Sequence, residues 1–462
     1  MLTLDRNYLD AIPALLKRMG QTGEPLPQLP DSAPDAALMA VLETVAERLR
    51  DNFPYPHPLY AGQMLKPPHP VARLAYTLAL WINPNNHALD GGRASSALEK
   101  EAVAALAAMV GWQDGFLGHL TSGGTVANLE ALYVAGQLVP GKRIVASTES
   151  HYTHERLCGV LKLPFAAIST NENGAMDITA LERELAGGDV GTVVVTLGTT
   201  GLGAIDPLDA VLALRARYDF RVHVDAAYGG YFTLAADALT GVAQNAYAYL
   251  AEVDSIVIDP HKHGLQPYGC GSVLFRDASV AQYYAHGSPY TYFSSDDLHL
   301  GEISLECSRA GASAVALWAT QQLLPMRRDG SFADGLRASI NAARLLHDRL
   351  SRDAHSSPLL EPALDIVVWA PLAATATAVS RLSQAIFEET AALGLHLATL
   401  RVSAETAARR WPSIEMDAPE ITCLRSVLMK PEHETWLDTI WERYCQGATL
   451  ARQKGQQQGW LP

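Results

Sequence analysis

The chain has no apolar run of about 18 residues, no CxxC pair and no excess of positive charge, and each absence removes a class of protein. Without the apolar run there is no candidate membrane span. The first residues, MLTLDRNYLDAIPALLKRMG, carry acidic groups and lack the apolar core of a secretory leader, so a cytoplasmic address is expected. A formal net charge of −14 argues against a nucleic-acid partner, since such proteins gather Lys and Arg on one face. The five cysteines, Cys158, Cys270, Cys307, Cys423 and Cys445, stand far apart, which disfavours a disulfide or zinc framework. They read as reduced, buried small hydrophobes. Neither a GxGxxG turn nor a GK[ST] ending is present, so no dinucleotide or nucleotide fingerprint is found, and no internal repeat occurs.

What is present describes a packed enzyme-sized protein. Of 462 residues, 48% are hydrophobic and 18% charged, a balance that supports a large core with one or two smaller lobes. Residues 22–37 are rich in Pro and small polar groups and lead into a helix expected at about Leu38–Asp51; a second Pro-rich stretch covers 54–70. The segment SSALEKEAVAALAAMVG reads as a helix capped by Ser96 with Glu99 at its third position, a capping box. From about 119 to 276 short Val/Ile runs (RIVAS, TVVVTL, RVHVDA, SIVIDP, GSVLF) alternate with segments of helical period. Runs without alternation are strands buried on both faces, which predicts α/β architecture with a mostly parallel sheet. Helices over 310–352, then LDIVVWAP, a helix at 376–393, HLATLRV, CLRSVLM and a last helix from His433 predict a small C-terminal α+β domain. The expected division is an N-terminal helical arm (1–70), a large domain (71–345) and a small domain (346–462), with a polar tail that frays.

Three segments carry chemistry. In DSIVIDPHKHGLQPYGCGSVLF, Lys262 sits on a turn at the mouth of a buried strand, where a desolvated amine can act as a nucleophile on a carbonyl, although most lysines are solvated surface groups. In RVHVDAAYGGYF, Asp225 ends another strand, where open α/β sheets place ligands; a carboxylate there needs a partner, and a pyridinium nitrogen would satisfy it. A helix cap or an ion pair is the commoner fate of an Asp. In LTSGGTVANLEAL, Ser122, Gly123, Gly124 and Thr125 form a strand-to-helix turn that offers free N–H groups to a phosphate, or simply joins two elements.

In the order glycine turn, His151, Asp225, Lys262, these segments resemble the group II decarboxylases dependent on pyridoxal 5'-phosphate (PLP), the family of aromatic amino acid, glutamate and archaeal tyrosine/aspartate decarboxylases. The resemblance implies the type I PLP-dependent transferase fold (aspartate aminotransferase-like), a homodimer with shared active sites, an amino acid substrate and PLP as cofactor. It implies Lys262 as the Schiff-base lysine, with His261 beside the phosphate. Asp225 would pair with the pyridine nitrogen, Ala227 pack under the ring, and His151 in ASTESHYTHERL stack on its other face. Gly123, Gly124 and Thr125 match the phosphate turn, and TLGTTGLGAIDP places Thr199 or Thr200 near the cofactor. Ser308 in LECSRAGASAVALW matches the serine that reaches the neighbouring subunit's phosphate, with Ala310 where that motif carries Pro.

The proton returned to Cα after CO₂ leaves needs a donor, and Tyr290 and Tyr292 in HGSPYTYFSSDDLHLGE, or His151, are the candidates. Arg309 could meet a substrate carboxylate or form a structural ion pair. His151 with His154 and His261 with His263 have metal-pair spacing but lack a matched third ligand, so no metal is expected. A carbon–carbon lyase resembling sphingosine-1-phosphate lyase would share the cofactor residues, and a non-catalytic binding protein on this fold would be expected to lack Lys262 or Asp225.

Overall fold

The computed structural model describes residues 6–20, 35–285 and 298–461. The Val/Ile runs become a seven-stranded sheet: β1 Leu117–Thr121, β2 Arg143–Ser147, β3 Phe165–Ile168, β4 Val190–Thr196, β5 Arg221–Asp225, β6 Ser255–Ile258 and β7 Gly271–Phe275, in the order β1-β7-β6-β5-β4-β2-β3. Strands β3, β2, β4, β5 and β6 run parallel, and β7 is antiparallel to both its neighbours.

Every residue of β4, β6 and β7 is buried, and the faces divide by the two-residue period of a strand. Val193 and Val195 join one core layer with Leu106 and Leu181, whereas Val194 meets Leu132 and Leu157 on the opposite face. Each such buried aliphatic side chain contributes about 1.5–3 kcal/mol, so a strand with apolar groups on both sides is held only when helices cover both faces. The register sets Thr196 opposite Asp225 and Asp225 opposite Val257, so the C-terminal ends of β4, β5 and β6 lie level.

A second, antiparallel sheet of β8 Ser356–Pro358, β9 Ile366–Pro371, β10 Ala398–Ser403 and β11 Glu420–Val427 has the order β10-β11-β9-β8. Helices Ala376–Ala392 and Leu437–Gln457 cover it through Leu382, Ile386, Ile440 and Tyr444 around Trp369 and Leu424.

Four expectations are corrected. Ser96 caps nothing: the helix runs Leu89–Met109 with a kink at Gly92, and Ser96 lies buried inside it. Glu99, with it, turns to tertiary partners, accepting from Asn86 Nδ2 (2.6 Å) and the Leu120 N–H (2.9 Å) and pairing with Arg309 (3.0 Å). The C-terminal tail does not fray, because the helix continues to Gln457 and Trp460 and Leu461 pack beside Gly455 on the second core. The last helix starts at Leu437, after a separate turn at Glu432–Thr435. Of the cysteines, Cys307 and Cys445 are exposed.

Candidate active site

A cavity of about 310 Å³ opens at the C-terminal ends of β4, β5 and β6. Its floor carries Thr196, Asp225 and Ala227, one wall is Ser122–Val126, another is His151 and Thr153, and the turn after β6 brings Asp259, His261 and Lys262. This edge is where parallel strands direct their last side chains and where the following loops diverge.

The turn holding Lys262 closes when the Lys262 N–H donates to Asp259 O (2.9 Å) and the His261 N–H donates to Cys270 O (3.1 Å). Lys262 Nζ lies 3.3 Å from Asp259 Oδ2, and His261 Nε2 lies 3.5 Å from the same oxygen. Burial pushes His261 below the ordinary imidazole value. Leu265 follows at φ +62°, a conformation that a branched side chain adopts only when its surroundings impose it. Here the Leu265 carbonyl accepts from the His69 N–H.

Asp225 is 6% exposed and does not stand alone. His154 Nε2–H donates to its Oδ2 (2.9 Å) and the Ala227 N–H to its Oδ1 (3.1 Å). Burial by itself would raise the carboxyl, but the His154 hydrogen bond and the positive charge of His154 and Lys262 outweigh it and hold Asp225 below the usual carboxylate range. Behind it, His223 donates from Nε2 to Asn128 Oδ1 (2.9 Å) and accepts at Nδ1 from Ser255 Oγ (2.8 Å). Asn128 in turn donates to Gly124 O (2.9 Å), tying the glycine turn to β5.

The helix Gly124–Leu138 points its N-terminus into the cavity, and its first N–H groups have no carbonyl one turn back to receive them. Gly123 has φ +155°, and a Cβ on Gly124 would stand 2.6 Å from Asp259 Oδ2, so the turn is closed to larger side chains. The Ser122 N–H donates to Glu306 Oε2 (3.0 Å). His151 sits ahead of the helix Thr153–Leu161 with Nδ1 2.6 Å from Thr153 Oγ1, and burial pushes its pKa down.

Of the residues singled out in the sequence, Lys262, His261, Asp225, Ala227, His151, Gly123, Gly124, Thr125 and Thr200 line this one cavity. Thr199 does not; it is fully buried and its Oγ1 accepts from the Ala204 N–H. Ser308 is exposed, accepts from Asn85 Nδ2 (3.1 Å) and is not among the residues lining the cavity of its own chain. Arg309 is a structural cation, bound to Glu99 and to the Leu120 carbonyl. Tyr290 and Tyr292 lie outside the described residues. The histidine pairs divide: His154 meets Asp225, and His263 lies 3.2 Å from Asp365.

Sequence reasoning missed His154 and Thr196, and it passed over Asp259. Asp259 stands three residues before Lys262, and His154 three residues after His151, so spacing offered a signal for both; for His154 that spacing suggests only a metal pair, which the lack of a third ligand sets aside. Thr196 had none beyond its place at a strand end.

The lining suits a flat, phosphorylated, ring-nitrogen cofactor. Thr196 Oγ1, Asp259 Oδ1 and His261 Nδ1 are buried polar atoms without a protein partner, and all three residues line the cavity, so a polar group bound there would satisfy them.

Solved structures share this architecture. Catharanthus roseus tryptophan decarboxylase in complex with L-tryptophan matches with a TM-score of 0.73 at 16% identity, covering 96% of this chain and 97% of that one. Oryza sativa TDC with PLP and tryptamine matches with a TM-score of 0.74 at 18% identity, covering 97% and 98%. The fold is therefore the type I fold of PLP-dependent enzymes. The profile of the pyridoxal-dependent decarboxylase conserved domain matches residues 26–370, and the chain belongs to that family. It is a PLP-dependent carboxy-lyase acting on amino acids. Among its relatives, L-tyrosine decarboxylase of Enterococcus faecium is 29% identical over 442 residues (72% of each chain). L-aspartate decarboxylase of Thermococcus kodakarensis is 28% identical over 329 residues, covering 71% of this chain and 83% of that one.

Proposed function

We propose that this cavity decarboxylates an L-amino acid to its amine, with Lys262 as the covalent anchor of PLP and Asp225 as the partner of its ring nitrogen. The observation that carries the reading is the convergence of Lys262, Asp225, His151 and the Gly123–Thr125 turn on one cavity, from segments up to about 140 residues apart. PLP supplies an electron sink for the pair released when the bond between Cα and the carboxylate breaks.

The remaining work falls to the chain. Gly124 and Thr125 would hold the phosphate by N–H groups and the helix dipole, with His261 beside it. Asp225, kept ionised by His154, would hold the proton on the ring nitrogen. His151 and Ala227 would flank the two faces of the ring, and Thr200 would lie at its edge. His151 engages Thr153 through Nδ1, which leaves Nε2 for proton exchange at the substrate. Tyr290 and Tyr292 are the alternative proton donors to Cα. Ser308, exposed and outside the lining of its own chain's cavity, suits a role at the neighbouring subunit's phosphate in a homodimer with shared sites. We extend the proposal to a cytoplasmic address and to an arm, a large domain and a small domain divided near residues 70 and 345.

Borohydride treatment of the purified holoenzyme is expected to fix the cofactor on Lys262, read by peptide mass spectrometry, and Lys262→Ala to abolish both the adduct and CO₂ release. An adduct on another lysine overturns the assignment. A panel of amino acids, beginning with tyrosine and aspartate, is then assayed for CO₂ and amine; aldehyde without CO₂ would reveal a carbon–carbon lyase instead.

A further inference from the structure

A second cavity, about 530 Å³, lies between the Pro-rich stretch, the start of the helix Ser331–Arg352 and the Lys430–Glu432 turn. It is larger than the catalytic cavity and shares no lining residue with it. Its cations are Lys66, Arg73 and Lys430, against the single carboxylate of Glu432. Lys430 is 2% exposed and spends one donor on Tyr60 O (2.6 Å). Among the described residues Lys66 makes no ion pair within 4.0 Å. Burial lowers its ammonium to about 8, although Asp365 and Glu432 pull the other way.

A half-buried ammonium whose carboxylates, Asp365 and Glu432, stand beyond 4.0 Å is incompletely compensated, and a buried imidazole nitrogen without a partner is costly. The cavity holds both. His263 is fully buried, lines the cavity, and leaves Nδ1 without a partner. The rest of the wall is apolar, with Leu265, Phe332 and Leu336 beside several prolines. A concave, mostly apolar site with a few converging polar groups is what small-ligand pockets look like, and 530 Å³ falls in their range.

We propose that this cavity binds a small organic oxyanion with an apolar body, its head held by Lys66 and Lys430 and its body against Phe332 and Leu336. Burial and the neighbouring Lys66 lower Lys430 to about 7, so an anionic head would be favoured by restoring its charge. The wall between the cavities is a short polar chain: Tyr228, which lines the catalytic cavity, donates to Asp365 Oδ1 (2.6 Å), and Asp365 Oδ2 lies 3.2 Å from His263. His263 follows Lys262 directly in the chain. A bound anion would compete with Asp365 for the charge of Lys66 and thereby act on the turn that carries the catalytic lysine.

Phenyl phosphate is the probe, titrated calorimetrically into the PLP-loaded enzyme so that the catalytic phosphate cradle is already filled. Saturable binding at one site per chain is expected, weakened at least tenfold in Lys66→Met and restored in Lys66→Arg. Inorganic phosphate is expected to bind at least tenfold more weakly; equal affinity would remove the apolar subsite. Ser331→Trp, at the exposed rim, keeps both lysines and is expected to block entry. Wild-type affinity in both Lys66→Met and Ser331→Trp, or no saturable binding to the wild type, overturns the proposal. Binding is read without turnover, so these outcomes are independent of the reaction assigned to the other cavity.

Discussion

Asp225 is a carboxylate delivered to the end of a strand buried on both sides, and His154 explains how it stays charged there. A hydrogen bond to a charged group contributes about 1.5–3 kcal/mol net, and removing one partner leaves the other desolvated and unpaired. His154→Leu is therefore expected to destabilise the protein by about that amount and to raise the Kd for PLP, measured by urea unfolding and by cofactor titration. Wild-type values in both would show that Asp225 does not depend on it. His223, one layer deeper, is held neutral: burial lowers it to about 3 from an ordinary 6.5, and His433 is lowered likewise. Between those values the unfolded chain binds protons that the folded chain refuses, so stability is fully present above pH 6.5 and lost as pH falls toward 3. Asp206 works oppositely, since burial raises it to about 6 and its contribution grows as pH falls from 6 to 3.8. Two imidazoles displaced further than one carboxyl outweigh it, so the urea midpoint is expected to be lower at about pH 5 than at about pH 7. An unchanged or higher midpoint would mean that these rings are protonated in the folded state.

The turn proposed to hold the phosphate belongs to one helix and what it is fastened to. Asn128 anchors Gly124 to His223 on β5, and the Glu99–Arg309 pair anchors β1, which leads into the turn, to the 304–311 loop. His119 on β1 donates to Glu130 Oε2 on the cradle helix (2.9 Å), so charged side chains buried beneath the turn hold its start and its loop together. Breaking the Glu99–Arg309 pair leaves a buried charge unpaired, which is why the sequence invests Glu99 here rather than in a cap. Gly124 has no slack: the Cβ of Gly124→Ala would stand 2.6 Å from the Asp259 carboxylate. That variant is expected to fold but to lose PLP affinity more than tenfold, read from the cofactor's visible absorbance during dialysis. Retained cofactor would mean that the turn lies away from the phosphate.

The two sheets meet around the site rather than beside it. Arg425 on β11 donates to Thr200 O (2.6 Å) and Gly201 O (2.9 Å), so the small sheet positions the loop after β4 that borders the catalytic cavity. The helix Ala36–Leu49 buries none of its residues, and Leu38, Val41, Leu42, Val45 and Leu49 all stand exposed along it, the kind of apolar face that marks an interaction site. A homodimer is expected to cover it and to bring Ser308 to the other subunit's site. Light scattering should then give twice the 49.7 kDa chain mass, and dilution that splits the dimer should lower activity in step. Full activity in a monomer would overturn the shared site.

The strands, the Lys262 turn, the Asp225 strand end and the glycine turn were legible in the sequence because each is a local pattern: unbroken apolar runs, a strand followed by its turn, small residues where backbone must approach a ligand. Their meeting on one cavity was implied only by resemblance. The partners of those residues were not legible. His154 lies 71 residues from Asp225, Glu99 lies 210 from Arg309, and Asp365 lies 137 from Tyr228. The same sequence spacing that suggested a metal pair for His151 and His154, or a cap for Ser96 and Glu99, serves different partners once the chain folds. Periodicity and turn chemistry act between near neighbours and so determined the elements and the turn that carries Lys262. Which buried charge meets which depends on how layers pack, and that only the tertiary structure decided, together with the second cavity behind the Lys262 turn.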